Sequence, residues 1–316
     1  MSRANKQHKQ DKQDKHGQQG YQVIGVQQLT EEQARQARAL RDLCNEHDGL
    51  DLKLGVSASF RSPISEPYAF LCMVDGGLAG FCSVMGDDGP ELELCGMVHP
   101  ASRRRGIGRA LLRAAIESAR RRLAVLRVLV ICEDASAAGR AFVAVAGGRR
   151  SFSENRMETT TPPTHRVRKR RLDVRLADPA DAPDLARIIS ASFGQSDDHM
   201  AEEIVRDMAV ASERYYLAQR GVTPVGAFKI FVDQPKAYIY AFGVLPEYRR
   251  QGYGREILED IIPRLFHEGW TAVGLEVDAD NLPAQALYRA VGFRDVTVYG
   301  YYELAMAPDS APHDSV

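Results

Sequence analysis

Two glycine-rich loops carry the strongest chemical signal in the sequence. Residues 98–109 read Val-His-Pro-Ala-Ser-Arg-Arg-Arg-Gly-Ile-Gly-Arg, residues 244–255 read Val-Leu-Pro-Glu-Tyr-Arg-Arg-Gln-Gly-Tyr-Gly-Arg, and seven of the twelve positions match. An Arg-x-x-Gly-x-Gly segment at the start of a helix presents unpaired backbone N–H groups and the positive end of the helix dipole, and glycine lets an anion approach closely. Both loops are therefore predicted to bind phosphate groups.

The predicted phosphate contacts are the backbone amides at the start of each following helix, together with the arginines before them. In the second loop they involve Arg249, Arg250, Gln251, Gly252, Tyr253, Gly254 and Arg255, and in the first loop Arg103, Arg104, Arg105, Gly106, Ile107, Gly108 and Arg109. A tight structural turn is the alternative interpretation, but the recurrence of the loop after a strand that ends Val-x-Pro favours an anion site. Neither the Gly-Lys-[Ser/Thr] nor the Gly-x-Gly-x-x-Gly nucleotide motif occurs.

The elements that flank the loops also repeat. Each loop follows a strand-like run, at Glu91–Val98 and Ala237–Val244, and precedes apolar residues at helical spacing and a further strand. With the hairpins upstream, this order predicts an α/β (mixed α+β) fold of two tandem domains, each a twisted mixed sheet flanked by helices. The predicted divisions are a disordered tail at 1–20, an N-terminal domain at 21–160, a Pro-containing linker at 161–171, a C-terminal domain at 172–306 and a tail at 307–316.

Two consecutive segments of the C-terminal domain form a family pattern. The sequence VLPEYRRQGYGREIL is followed by LEVDADNLPAQALYRAVGF. Together they closely resemble the pyrophosphate loop and the Asn-x-x-Ala-x-x-x-Tyr-x-x-x-Gly-Phe segment of the GNAT (Gcn5-related) N-acetyltransferases. The resemblance covers nearly all of the C-terminal domain and is clear over Glu93–Leu112 of the N-terminal domain. The second segment matches at Asn281, Ala284, Tyr288, Gly292 and Phe293.

The resemblance implies acetyl-CoA as the cofactor, with its pyrophosphate at the loop. It implies main-chain pairing of pantetheine with the strand that carries Phe242 and Val244, and in the N-terminal domain the corresponding strand ends at Val98. It further implies that the strands before Val244 and around Val277 splay apart to admit the acyl group. The acetyl group would pass directly to an amine, without a covalent acyl-enzyme.

The second segment distinguishes the two domains. Where the C-terminal domain has Asn281, Ala284, Tyr288 and Phe293, the N-terminal domain has Ser136, Gly139, Val143 and Gly148. A tyrosine hydroxyl can hydrogen-bond or protonate a leaving thiolate, and valine cannot. The C-terminal domain is therefore predicted to be catalytic, and the N-terminal domain to be a degenerate copy that keeps the phosphate loop.

Tyr288 is the predicted general acid, and its alternative is a packed core tyrosine with its hydroxyl in water. Glu276 is the first choice for the base that removes a proton from the amine. Asp278, Tyr238 and Tyr240 lie on the same or the neighbouring strand at a period of two and could pass the proton through water. For each of these four candidate bases, an ordinary packed or solvated strand position is the stronger alternative.

Three further features have open roles. Asn281 either contacts pantetheine or caps the helix that begins near Leu282. Glu93 stands where many family members carry an acid before the loop, so that without the tyrosine it is either a remnant or a binding group. The basic run at 166–171, which ends at Arg171, could bind nucleic acid, but it contains no aromatic residues and fits a solvated linker better.

The composition argues against several classes of protein. The formal net charge of −1 gives no excess of either sign for a nucleic-acid partner. Five cysteines without a CxxC pair indicate buried reduced thiols in a cytoplasmic protein. No histidine pair has metal-site spacing, no apolar run reaches the ~20 residues of a membrane span, and the polar first segment is not a secretory signal.

These observations predict an N-acetyltransferase that transfers an acetyl group from acetyl-CoA to a primary amine of a small molecule or a peptide. The alternative is a non-catalytic acetyl-CoA-binding sensor or partner-binding module, and nucleic-acid binding through the basic run is a weaker third hypothesis. The acceptor pocket carries no sequence motif, and no pattern in the sequence indicates an oligomeric state.

Overall fold

The computed structural model describes residues 20–56, 65–86, 90–122, 124–163, 171–194 and 199–305. Outside these ranges lie residues 1–19 and 307–316 of the predicted tails, and residues 164–170 of the predicted linker. The basic run at 166–171 is thus described only at Arg171.

Each half of the chain follows the predicted order of elements around its loop. The N-terminal half forms β1 (Gln22–Val26), α1 (Glu31–Asp48), β2 (Ala69–Val74), β3 (Gly77–Met85), β4 (Glu91–Val98), α2 (Ile107–Arg120), β5 (Arg127–Glu133), α3 (Ala137–Val145) and β6 (Arg149–Thr159). The C-terminal half forms β7 (Asp173–Leu176), α4 (Ala182–Phe193), α5 (Met200–Met208), β8 (Glu213–Arg220), β9 (Thr223–Asp233), β10 (Lys236–Val244), α6 (Tyr253–His267), β11 (Ala272–Asp278), α7 (Leu282–Ala290) and β12 (Arg294–Leu304). The predicted mixed α/β fold is confirmed.

All twelve strands belong to one continuous sheet, in the order β1-β2-β3-β4-β5-β12-β6-β11-β10-β9-β8-β7. The last strands of the two halves are exchanged, because β12 pairs with β5 of the N-terminal half and β6 pairs with β11 of the C-terminal half. The exchanged strands β6 and β12 also pair with each other. Each half therefore completes its part of the sheet with a strand from the other half.

The helices cover the sheet with apolar faces. Helix α6, which follows the second loop, buries five aliphatic side chains on the sheet, namely Ile257, Leu258, Ile261, Ile262 and Leu265. Each such side chain stabilises the fold by about 1.5–3 kcal/mol. The helix contains Pro263 and continues past it to His267. This packing fixes the N-terminus of α6 against the end of β10.

We expect the exchanged strands to make the two halves unfold together. Because β12 supplies hydrogen bonds to both β5 and β6, neither part of the sheet can open alone without breaking a ladder. Scanning calorimetry should show one transition. Gly300→Val in β12 would place a Cβ 2.8 Å from the Tyr302 ring and should lower the temperature of that whole transition. Two separate transitions, of which only one responds to the substitution, would contradict this expectation.

Candidate functional site

The two glycine-rich loops have the same backbone conformation. The first arginine of each loop has φ −66° and ψ 161°. The second arginine lies in the left-handed region, with φ 62° in the first loop and 60° in the second. The first glycine follows with φ 85° and 83°, a conformation in which other residues are strained. The sequence repeat therefore corresponds to a repeated structure.

The second loop leads directly into α6 without a side-chain cap. Gly252 is the N-cap residue and makes no capping hydrogen bond, so the first amides of the helix have no acceptor from the cap. Arg249 braces the loop, because its Nε donates to the carbonyl oxygen of Val244 at 2.8 Å. The first loop has the matching bond from Arg103 Nε to Val98 O at 3.1 Å. Both helix starts can accept an anionic group.

Arg171 of the basic run lies beside the second loop. Its guanidinium donates to Gln251 O at 3.0 Å and lies over the Tyr253 ring at 4.6 Å. The buried Glu256 carboxylate of α6 accepts from Arg171 Nε at 3.0 Å and from the Leu172 backbone N–H at 2.9 Å. Arg171 therefore adds positive charge at the loop in addition to the arginines that the motif predicted.

A β-bulge opens the sheet next to the second loop. The pairing of β10 with β9 shifts register between Tyr240 and Gly243, and Ala241 has φ 50° in the left-handed region. The parallel pairing of β10 with β11 ends at Ile239, so the following residues of β10 have no partner on that side. The edge that faces β11 is therefore available to a ligand. In the N-terminal half, the ladder between β3 and β4 runs without a register shift.

A cavity of about 1290 Å³ lies at this opening. It is lined by most of the predicted residues of the C-terminal half, namely Phe242, Val244, Arg249, Arg250, Gly252, Tyr253, Gly254, Arg255, Glu276, Asn281 and Tyr288. Gln251 is not part of the lining, and its side chain donates to Glu247 O instead. The predicted residues of the first loop, from Val98 to Arg109, do not line this cavity.

Tyr288 lies in the wall of the cavity on α7. Its side chain is 6% exposed and packs edge-on against Phe242 and Phe293, with ring centroids 6.3 Å and 5.9 Å apart. Burial raises the pKa of Tyr288 to about 12, which keeps the phenol protonated. Among the residues that the structure describes, its hydroxyl has no hydrogen-bond partner. At the start of α7, Asn281 Oδ1 accepts from Ala284 N at 3.2 Å, so the capping role of Asn281 is observed.

The other end of the cavity holds a charged cluster that sequence analysis missed. Lys53, in the segment after α1, donates to Glu276 Oε2 and to the Tyr301 hydroxyl, each at 2.6 Å. Glu154 lies 3.6 Å from the same ammonium and accepts from the Tyr301 hydroxyl. Glu93 also lines this end. Both halves of the chain therefore contribute to this end of the cavity, the chamber formed by Lys53, Glu93, Glu154, Glu276 and Tyr301. The sequence had singled out Glu276 as a base and Glu93 as a remnant or a binding group.

The charges of this chamber perturb one another. Burial lowers the pKa of Lys53, but the facing Glu276, Tyr301 and Glu154 raise it by more, so its net pKa lies well above the usual value. Burial raises the carboxyl pKa of both Glu93 and Glu154, and the Lys53 ammonium opposes this effect. Lys53 is therefore a firmly protonated ammonium that holds carboxylates in a poorly hydrated space.

The N-terminal half has no tyrosine at the position that corresponds to Tyr288. Val143 is buried in α3 at the position of Tyr288. Ser136 caps α3 through Gly139 N, as Asn281 caps α7. The phosphate loop is thus the feature that the two halves share, and the bulge and the tyrosine belong to the C-terminal half.

Three general features of the molecule bear on its chemistry. All five cysteines are buried free thiols. Across the described ranges, no group of three or more His, Cys, Asp or Glu side chains is arranged to hold a metal ion. None of the described helices is both long and apolar enough to cross a membrane.

Comparison with known proteins establishes the class of this chain, which is an acyltransferase. It belongs to the acetyltransferase (GNAT) family, whose sequence model matches residues 28–147 and again residues 182–293. The two matches coincide with the two halves that carry the loops, and the predicted tandem arrangement is confirmed.

Several relatives resemble the chain over different lengths. A mycothiol acetyltransferase of Thermomonospora curvata is 29% identical over 289 residues, which cover 87% of this chain and 95% of that protein. The [ribosomal protein bS18]-alanine N-acetyltransferase of Escherichia coli is 39% identical over 94 residues, which cover 28% of this chain and 62% of that protein.

Two solved structures share the fold. One is a GCN5-related N-acetyltransferase from Sphaerobacter thermophilus, with a TM-score of 0.71, 20% identity, and coverage of 91% of this chain and 96% of that one. The other is a tandem GNAT protein from the clavulanic acid biosynthesis pathway, with a TM-score of 0.68, 18% identity, and coverage of 92% and 100%. At these identities the likeness shows the fold alone.

Lys53→Met should destabilise the protein, and more so at high pH. Removal of the buried ammonium leaves carboxylates without a counter-charge, at a cost of roughly 3 kcal/mol in the free energy of unfolding. The loss raises the pKa of Glu93 and Glu154 further. A carboxyl group with a higher pKa in the folded state binds protons on folding, so its contribution is favourable at low pH and is lost as the pH rises through the folded pKa.

Urea unfolding at about pH 5 and about pH 8 measures this difference. The deficit of Lys53→Met relative to the wild type should be larger at the higher pH. Lys236→Met is the control, because Lys236 pairs with Glu158 at 2.8 Å with its side chain 35% exposed, and it should cost less than about 1 kcal/mol at both values. A deficit that does not depend on pH would rule out an electrostatic role for Lys53.

Proposed function

We propose that this enzyme transfers an acetyl group from acetyl-CoA to a primary amine of a small molecule or a peptide, and that the C-terminal half carries the reaction. The observation that supports this proposal most strongly is the composition of one cavity. It combines the uncapped start of α6, the open edge of the bulged β10, the hydroxyl of Tyr288 and the carboxylate of Glu276.

The residues that are present fit acetyl-CoA. The free amides from Gly252 to Arg255 and the guanidinium groups at the loop suit a pyrophosphate. The unpaired edge of β10 around Phe242 suits the amide groups of pantetheine, which require main-chain partners. The Ser192 hydroxyl lines the cavity beside the bulge, is buried and has no hydrogen-bond partner in the described part of the chain, so it offers a further polar contact.

The side chains of the cavity divide the proton transfers between them. Acetyl-CoA, when bound, supplies an acetyl thioester. In this proposal Glu276 accepts the proton that the acceptor amine loses as it attacks. Tyr288 donates a hydrogen bond or a proton to the departing sulfur, and its raised pKa keeps the required proton on the phenol at neutral pH. The apolar neighbours of Tyr288 exclude water from its ring.

The named relatives support acetyl transfer to an amine. The bS18-alanine enzyme is by its name an N-acetyltransferase, and the mycothiol acetyltransferase matches nearly the whole chain. These names differ in the acceptor, so they support the reaction type rather than a particular substrate. A panel of polyamines, amino acids, aminoglycosides and peptides with free N-termini, followed by release of CoA, tests the proposal. Binding of acetyl-CoA without release for any amine would favour the sensor alternative.

A matched pair of glycine substitutions should identify the active half. A Cβ at Gly254 would lie 3.2 Å from Leu287, and a Cβ at Gly108 would lie 3.3 Å from Phe142, so the two changes carry similar packing costs. Gly254→Val should weaken acetyl-CoA binding at least roughly tenfold and abolish turnover, because the side chain blocks access to the amides. Gly108→Val should leave most of the turnover intact. Calorimetric titration and steady-state assays measure both effects, and the reverse pattern would place the reaction in the N-terminal half.

Tyr288→Phe should lower kcat by roughly 10²–10⁴-fold with little change in acetyl-CoA affinity, as expected for loss of a general acid. The ring contacts with Phe242 and Phe293 remain, so folding should be preserved. Tyr216→Phe is the matched control, because Tyr216 is equally buried but stacks on Phe228 outside the cavity. A near-normal kcat for Tyr288→Phe would transfer the acid role to water or to another tyrosine.

A further inference from the structure

The charged chamber around Lys53 is built from both halves of the chain. The N-terminal half contributes Glu93 from β4 and Glu154 from β6, and the C-terminal half contributes Glu276 from β11. Lys53 of the N-terminal half lies among these carboxylates. The exchange of β6 and β12 brings the three acidic strands to one region of the sheet.

The single ammonium does not balance the carboxylates around it. Lys53 Nζ is 2.6 Å from Glu276 and 3.6 Å from Glu154. Within the described residues, Glu93 has neither an ion pair nor a hydrogen bond, although it lines the cavity. Three carboxylates thus face one cation. An uncompensated carboxylate in a poorly hydrated wall is costly unless a ligand brings a positive charge.

A second observation is a free hydroxyl group in the wall of the same cavity. The hydroxyl of Tyr288 belongs to a side chain that is 6% exposed, faces the same cavity and has no partner in the described part of the protein. The hydroxyl is open to the cavity, so a ligand bound there can supply its hydrogen-bond partner. The tyrosine hydroxyl and the unpaired carboxylate therefore line the same cavity, from its two ends.

We propose that Glu93 and Glu154 bind the cationic end of the acceptor and select amines that carry no carboxylate beside the amine. Diamines and amino-acid amides are thus accepted in preference to free amino acids. A carboxylate next to the reacting amine would add a fourth negative charge to a chamber that contains one ammonium, whereas a second amine or a neutral amide would not. This inference rests on the proposed function, and it assigns the choice of acceptor to the N-terminal half.

Three probes of similar size separate charge from shape. Glycinamide and glycine differ in the replacement of a carboxylate by an amide, and ethylenediamine carries a second ammonium. With saturating acetyl-CoA and with each probe expressed as the concentration of unprotonated amine, kcat/KM for CoA release should be at least roughly tenfold higher for glycinamide and for ethylenediamine than for glycine. Equal values, a preference for glycine, or no reaction with either cationic probe would overturn the inference.

Substitutions in the N-terminal half test the assignment to particular residues. In Glu93→Gln, the preference for the two cationic probes over glycine should fall at least roughly tenfold, mainly through a higher KM for the cations at similar kcat. Glu91→Gln is the control, because Glu91 lies two residues away on the same strand, pairs with Arg127 at 2.7 Å and does not line the cavity. Glu154→Gln should act like Glu93→Gln.

The readouts separate this inference from the proposed function. Thermal melts verify that each variant is folded. If Glu154→Gln unfolds through loss of its hydrogen bond with Tyr301, the selectivity of Glu93→Gln alone tests the role of the N-terminal half. Unchanged selectivity in Glu93→Gln, with acetyl-CoA bound and amines acetylated, overturns the inference and leaves the proposed function intact. If calorimetry detects no binding of acetyl-CoA to the wild type, both fail.

Discussion

The insertion of β12 between β5 and β6 is the constraint on which the rest of the structure depends. Backbone hydrogen bonds on both sides of β12 join two duplicated halves into one sheet. They place Tyr301 of β12 beside Glu154 of β6, and β6 in turn pairs with the strand that carries Glu276. If the two halves were separate domains, Tyr301 and Glu154 would not lie beside Glu276 in the cavity. Because the strands are exchanged, residues from both halves line the chamber.

The two halves keep the same loop but differ in what lies beside it. Identical φ and ψ angles at the first arginines show that the backbone conformation of the loop is the same in both. In both halves the parallel pairing ends before the loop, at Ile239 of β10 and at Leu94 of β4. The halves differ on the opposite side, where β10 has a register shift against β9 and β4 pairs regularly with β3. Tyr288 faces the opening, and Val143 occupies its counterpart. The loop is thus common to both halves, and the bulge and the tyrosine at the cavity wall belong to the C-terminal half.

Local patterns were sufficient to predict the elements around each loop, because hydrophobic period and glycine spacing are properties of short segments. Strand β4 ends at the expected Val98, and Tyr288 lies in the cavity. The chamber was not predictable, because its bonds join residues far apart in sequence. Lys53 is 223 residues from Glu276 and stands between Leu52 and Leu54 in a segment without a motif. The strand exchange was equally hidden, since β6 and β12 have the composition of ordinary terminal strands.

A crystal structure of the protein with acetyl-CoA tests the central claim most directly, because it shows where the thioester lies. Phosphate density is expected at the amides from Gly252 to Arg255, and pantetheine along the open edge of β10. The thioester should lie between Tyr288 and Glu276. Acetyl-CoA bound at the first loop, with the cavity of the C-terminal half empty, would contradict it.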